Sequence, residues 1–242
     1  MRAIILAAGR GSRMGPMSRG QPKCLIKIHG KTLLDRQIAA IRAAGIKEIS
    51  IVTGYCRAKL QHRGLREFHN SRWATTNMVS SLACANAWLK IGPCIVSYGD
   101  IIYEAKAVRL LKKQRSGFVI SYDANWERLW SKRFRNPLED AETFRITKKG
   151  RVLEIGGRAK SKKEIKGQYM GLFKINQKAW EKMQIFLSNL KEKTKENLQM
   201  THLLNLMIEK KRISVKAVPY NGAWFEFDKE TDIKLAKKII KN

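Results

Sequence analysis

Acids are scarce in this chain of 242 residues, where 20 Asp and Glu face 49 Lys and Arg and leave a formal net charge of +29. An imbalance of this size suits a nucleic acid, an anionic membrane surface or a polyphosphate ligand, so its placement decides among them. It is spread along the chain, +12 over residues 1–100 and +17 over residues 101–242. There is no basic tail, Arg-Gly repeat or zinc knuckle, and aromatics do not interleave with cations as an RNA-binding surface requires. Specific nucleic-acid recognition is therefore not expected, only weak adsorption at low salt. Runs such as Lys160-Ser161-Lys162-Lys163 and Lys210-Lys211-Arg212 read as solvated surface. Cysteine is sparse too: Cys24, Cys56, Cys84 and Cys94 form no Cys-x-x-Cys and read as reduced thiols of a cytoplasmic protein. His29, His62, His69 and His202 have no metal-ligand spacing, which argues against a zinc site. No apolar run approaches membrane-spanning length, and the N-terminal one is too short for a signal h-region, so no membrane insertion is expected.

The familiar glycine-rich nucleotide loops are absent as well. A dinucleotide fingerprint would need a third glycine where Met14 stands, and a Walker loop would need Gly-Lys-Ser/Thr. What is present is the apolar run Ala3-Ile4-Ile5-Leu6, ending in Ala7-Ala8-Gly9-Arg10-Gly11-Ser12-Arg13-Met14-Gly15-Pro16 and followed by Pro22-Lys23. A buried parallel strand that delivers a small, glycine-broken, cationic turn is a phosphate-binding arrangement. Ala7, Ala8 and Gly9 carry little side chain, so a flat base and ribose fit against the backbone that follows Leu6. Gly11 and Ser12 offer N–H groups to phosphate oxygens, and Arg13 and Lys23 supply positive charge for a triphosphate. The bland alternative is a surface turn with two solvated cations, which needs two glycines, two prolines and two cations to coincide by chance.

The length suits one domain, 1–242, with an insertion at 123–166. A short strand is predicted at Leu25–Ile28, then a helix from Thr32 to Ala44 stopped by Gly45, and a buried strand at Ile49–Thr53. Strand, loop, helix, strand is a right-handed crossover unit and implies a parallel sheet. A helix over Asn77–Lys90 precedes a strand at Pro93–Tyr98 that ends at Gly99-Asp100, and a helix from about Ala105 to Lys113 leads to a strand at Phe118–Tyr122. The polar segment 123–166 carries a hairpin, Thr143–Ile146 with Val152–Ile155, around Lys149-Gly150. Strands at Gln168–Ile175, Ile213–Val218 and Trp224–Asp228 alternate with helices at 176–190, at 198–210 and from Thr231.

The opening loop resembles the signature of the sugar-phosphate and choline-phosphate nucleotidyltransferases, which move a nucleoside monophosphate from a triphosphate onto a phosphorylated acceptor. Lys132-Arg133-Phe134, Pro137 to Thr143, Gly167-Gln168-Tyr169-Met170-Gly171-Leu172-Phe173 and Met200-Thr201 are similar to runs in bacterial cytidylyltransferases acting on phosphocholine, 2-aminoethylphosphonate or phosphorylated glutamine. The resemblance covers nearly the whole chain. It implies an α/β fold with a Rossmann-like, mostly parallel sheet flanked by helices, GT-A-like, with the insertion covering the substrate. It implies Mg²⁺ held by Asp100, where a strand end meets the crevice, and by Asp228 in Trp224-x-Glu226-x-Asp228; Glu226 or Asp232 are further candidates. Taken alone, Gly99-Asp100 is equally a common turn. The resemblance makes CTP the nucleotide, with Lys23 against the α-phosphate or acceptor oxygens and Arg13 on the leaving pyrophosphate. Asn77 and Ser81 offer small polar groups that read a pyrimidine edge, while Thr76 or Asn77 serves equally as an N-cap.

The acceptor pocket is expected from the insertion. Tyr122, Trp126 and Trp130 supply aromatic faces and Glu139, Asp140 and Glu142 carboxylates, a pairing that favours an ammonium group. The same residues read otherwise as an acidic turn beside packing tryptophans. Gln168 and Tyr169 are further acceptor contacts, and Lys132 or Arg133 would pair with the carboxylate of an amino-acid acceptor. The expected activity is transfer of CMP from CTP to a small phosphorylated amine or amino acid, for surface polysaccharide decoration. A hexose-1-phosphate nucleotidyltransferase shares the loop and both aspartates, and a noncatalytic RNA-binding module is the alternative of another class. The residues set no oligomeric state.

Overall fold

The alternation of the first strand, β1 (Arg2–Ala7), sorts the molecule into two apolar cores, with Ala3, Ile5 and Ala7 facing one and Ile4 and Leu6 the other. Burial of each such Ile or Leu contributes about 1.5–3 kcal/mol, so a strand apolar on both faces belongs inside a sheet covered on both sides. The computed structural model describes residues 1–61 and 64–240, which leaves His62 outside the described residues. After β1 come β2 (Lys27–Ile28), β3 (Lys31–Thr32), α1 (Leu33–Ala43), β4 (Ile49–Thr53), β5 (Arg66–His69), α2 (Met78–Cys84), α3 (Asn86–Ile91), β6 (Cys94–Tyr98) and β7 (Ile101–Tyr103). The chain continues with α4 (Ala105–Lys112), β8 (Phe118–Asp123), α5 (Trp126–Arg133), β9 (Glu142–Ile146), β10 (Val152–Arg158) and β11 (Gln168–Ile175). It closes with α6 (Gln177–Ser188), α7 (Glu192–Asn197), α8 (Met200–Glu209), β12 (Val215–Pro219), β13 (Trp224–Glu226) and α9 (Glu230–Ile239).

Seven strands form the central sheet in the order β12-β8-β11-β6-β1-β4-β5. Its pairings are parallel except at β11, which runs antiparallel to β6 and β8. This is the mostly parallel α/β architecture expected, with α1, α4, α5 and α9 on one face and α2, α3, α6 and α8 on the other. Thr32 caps α1 through a capping box with Asp35, and Gly45 at φ +80° ends the turn after it. Segment 123–166 joins both cores: Trp126, Leu129 and Trp130 of α5 enter one, and Phe144, Val152 and Ile155 of the β9–β10 hairpin the other. No helix among the described residues is long and apolar enough to cross a membrane.

Four local expectations are corrected. The helix expected over Asn77–Lys90 is two, because the Ala85 amide bonds back three residues to Leu82 and Trp180 Nε1 fixes Asn86 at 2.8 Å. The strand expected at Leu25–Ile28 shrinks to two residues, since Lys23–Leu25 coils into a 3-10 turn on the Pro22 and Lys23 carbonyls. The strand expected over Trp224–Asp228 stops at Glu226 and pairs with β7 outside the central sheet. The last helix opens at Glu230, one residue before Thr231.

Gly99 lies where β6 leaves the sheet, and a Cβ there would stand 2.6 Å from the Leu6 carbonyl oxygen. Gly99→Ala is expected to destabilise the fold by about 1–3 kcal/mol through this clash. A denaturant midpoint equal to that of the unsubstituted protein would refute the contact.

Candidate active site

The glycine loop aims a lysine. Gly11 takes φ +66°, and a Cβ on it would lie 3.0 Å from Lys23 Cβ and 3.1 Å from Cδ. The glycine therefore supplies both a left-handed turn and the slot along which the Lys23 stem runs. Ser18 Oγ donates to the Gly11 carbonyl at 2.9 Å, and Met14 is fully buried beneath the loop. Lys23 is left buried, with its ammonium among carboxylates.

Lys23 Nζ lies 2.7 Å from Asp100 Oδ2 and 3.1 Å from Asp228 Oδ1. Arg13, largely exposed, reaches the same Asp228 Oδ1 at 2.8 Å. The Phe227 amide donates to the Asp100 carbonyl at 3.0 Å, which draws the two acidic segments together. On the inner side Arg133, its side chain wholly buried, donates to Asp228 Oδ2 at 3.2 Å, to both Asp232 oxygens at 3.0 and 3.1 Å, and to Glu226 at 3.5 Å. Its guanidinium stacks near Trp130, Phe134 and Phe225, 5.0 to 5.8 Å from their ring centres.

Two expectations fall here. Arg133 is not available to an acceptor carboxylate, because a buried guanidinium must keep its counter-ions. Asp232 is not free to ligate a metal, because it also accepts the Asp228 and Lys229 amides at 2.8 and 2.9 Å.

The network sets the charge states. Burial works against the Lys23 ammonium, yet Asp100 and Asp228 outweigh it and hold its pKa above the ordinary value. Burial likewise opposes the charged Asp228, but Lys23, Arg13 and Arg133 keep its carboxyl below the ordinary range. Glu226 goes the other way: burial, then the Asp228 charge, push it up to about 8 against Arg133. Burial also raises Asp140 and Glu142.

Beside these groups a cleft of about 500 Å³ brings together Arg13, Asn77, Asp100, Trp130, Asp140, Glu142, Gln168, Tyr169 and Asp228 among the expected residues. Met200, Thr201 and Glu226 join them, as do Met78, Tyr98 and Gln199, whose only sequence signal is adjacency to Asn77, Gly99-Asp100 and Met200. Asn77 also caps α2, its side-chain oxygen accepting the Met78 amide at 2.7 Å. Leu6, Ala7 and Ala8 are buried at the strand end, and Gly9 and Ser12 are exposed in the loop.

Other expected contacts lie outside the cleft lining. Ser81 is buried and accepts from Asn70 Nδ2 at 3.0 Å. Tyr122 packs on Phe144 with ring centres 5.1 Å apart, and Trp126 packs against Trp130 at 6.3 Å. Glu139 is exposed on the Pro137–Glu139 turn. Aromatic residues in a row of sequence carry no mark of which face they will show, and here core packing buries all three, with Trp130 alone reaching the cleft lining.

The class in which this sequence and fold place the chain is that of the nucleotidyltransferases. The chain belongs to the family described as MobA-like NTP transferase domain, whose profile matches residues 3–158. Over 97 % of its length it is 38 % identical to the CTP:phosphoglutamine cytidylyltransferase of Campylobacter jejuni subsp. jejuni serotype O:2, of which it covers 98 %. A choline-phosphate cytidylyltransferase of Streptococcus pneumoniae is 37 % identical over 34 % of this chain and 38 % of that one. In fold it is similar to the CTP:phosphocholine cytidylyltransferase of Streptococcus pneumoniae, with a TM-score of 0.73, 20 % identity and 99 % of both chains covered. The inositol-1-phosphate CTP transferase of T. maritima gives a TM-score of 0.77 at 19 % identity, with 98 % of this chain and 95 % of that one covered.

The raised Glu226 carboxyl makes a signed prediction. The folded chain holds a proton that the unfolded chain releases above its ordinary 4.5. This contribution to stability is therefore complete below that value and lost as pH rises toward 8. Urea unfolding in EDTA across this range is expected to show a falling midpoint that Glu226→Gln partly flattens; parallel curves for the two proteins would refute the assignment.

Proposed function

We propose that the protein transfers CMP from CTP to the phosphate of a small phosphorylated amine, phosphoglutamine first among them, and releases pyrophosphate. The observation that carries this is the cleft's charge. In a chain with 20 acids, five of them, Asp100, Asp140, Glu142, Glu226 and Asp228, line one cavity beside Arg13 and Lys23. Arg13 and Lys23 suit the phosphates, and Asp140 and Glu142, held by Trp130 and Thr201 rather than by those cations, suit an amine. The acids do not favour a hexose, whose neutral hydroxyls call for neutral partners, and they would repel a phosphodiester strand.

An acceptor phosphate is largely ionised near neutral pH, so its oxygen attacks the α-phosphorus without a general base. A new P–O bond forms as the α–β bridging bond breaks, and pyrophosphate leaves with the electron pair. Positioning and charge neutralisation then supply the catalysis. The base and ribose lie along Leu6, Ala7, Ala8 and Gly9 toward Asn77, and the phosphates over the Gly11 and Ser12 amides. Lys23 faces the α-phosphate and Arg13 the departing pyrophosphate, so both leave their carboxylate partners when CTP binds.

A divalent cation fits the residues present. One oxygen of Asp100, Oδ1, is buried and meets no hydrogen-bond partner, and Asp100 and Asp228 are close enough for one ammonium to touch both. Among the described residues no group of three or more His, Cys, Asp or Glu forms a metal cage by itself. Asp100 and Asp228 would hold Mg²⁺, with phosphate oxygens and water completing its shell. When bound, the ion neutralises triphosphate charge and orients its oxygens.

Pyrophosphate release is expected with CTP and phosphoglutamine and to fall at least about 100-fold in Lys23→Met. Assays with CTP and UTP against phosphorylated amines and hexose 1-phosphates test this. Turnover confined to hexose phosphates would overturn the reading.

A further inference from the structure

The cleft poses a choice between two kinds of ammonium. A trimethylammonium group has no N–H and binds through open aromatic faces. A primary ammonium has three donors and needs oxygen acceptors around it.

The tryptophan that lines the cleft is already covered. Trp130 is 2 % exposed, wedged between Trp126, Trp224 and the Arg133 guanidinium, whose centre lies 5.0 Å from its ring. Its indole N–H donates to Asp140 Oδ2 at 3.1 Å, so toward the cleft it acts by orienting a carboxylate. Tyr98 and Tyr169, both partly exposed, meet edge to face at 5.7 Å and 86°, so the edge of one ring takes one face of the other.

Oxygen acceptors are set in place instead. Glu142 opens β9, and the Gln168 side-chain amide donates to its carbonyl at 3.0 Å, which fixes the backbone. Thr201 Oγ1 donates to Glu142 Oε1 at 3.3 Å, which turns the carboxylate on the wall it shares with Asp140.

We propose that Glu142, with Asp140 on the same wall, selects a primary ammonium on the acceptor and that a trimethylammonium headgroup is refused. The inference rests on the proposed function and adds the chemistry of the acceptor's nitrogen. A primary ammonium gives Glu142 charge-assisted hydrogen bonds; three methyl groups would leave the carboxylates desolvated with no donor.

The test compares phosphoethanolamine with phosphocholine, which differ by three methyl groups, as acceptors with CTP or as competitors against phosphoglutamine. We expect phosphoethanolamine to be preferred by about 10- to 100-fold in kcat/KM or in inhibition constant. Glu142→Gln is expected to raise KM for the amine and bring the ratio close to one. Calorimetric CTP affinity equal to that of the unsubstituted protein would show the variant to be folded. Should Glu142→Gln unfold, Thr201→Val, which frees the carboxylate without removing it, is expected to lower the same ratio. Equal use of the two amines, or a ratio indifferent to both substitutions, would overturn the inference and leave the proposed function standing. If no phosphorylated amine is used or bound while a hexose phosphate is, the proposed function fails and the inference with it.

Discussion

Asp228 is held from both sides, and the rest of the site depends on that grip. Arg133 takes one of its oxygens from within the protein, while Lys23 and Arg13 take the other from the cleft. Three stretches far apart in sequence, the glycine loop, α5 and the turn after β13, are thereby tied at one carboxylate. Asp100, Glu226, Asp228 and Asp232 could not be crowded together without the three cations, since buried like charges repel and each carries a desolvation cost. Deleting one partner of such a buried pair typically costs about 3–5 kcal/mol, which makes the knot a structural constraint as well as a chemical one.

The scarcity of acid gives the same constraint a second meaning. A surface carrying most of a +29 charge draws polyphosphates toward the molecule, while the few carboxylates gathered in one cavity make a local sink for cations. The two fields are opposite in sign and draw oppositely charged groups toward one cleft. Fold neighbours sharing about a fifth of their residues with this chain have the same architecture, so chemistry of this kind is set by what lines the cleft rather than by the sheet.

How much of this could be read from the residues differs by element. Strands β1, β4 and β11 and the bounds of α1 were legible because their signals are local: apolar runs, a threonine before the helix and a glycine after its last turn. Strand β5 and helix α7 were not, because neither carries a buried apolar stripe. The meeting of Asp100 with Asp228 is implied by family resemblance but not by spacing, since 128 residues of chain separate them in a fold whose register local propensity does not fix. Arg133 was misassigned for the same reason: its partners Asp228 and Asp232 lie more than 90 residues downstream. The aromatic faces expected from Tyr122, Trp126 and Trp130 are packed away, because sequence shows that such rings exist but not which of their sides will be covered.

One short stretch of chain touches both halves of the cavity. The Glu196 carbonyl accepts the Asn77 amide at 2.6 Å, and five residues later Thr201 holds Glu142. Between them Gln199 and Met200 form part of the wall. A shift of this strip would disturb Asn77 and Glu142 together, so under the proposed function nucleotide and acceptor binding are coupled there. On that reading, a change toward a bulkier acceptor works from the β9 side or alters the nucleotide's surroundings as well.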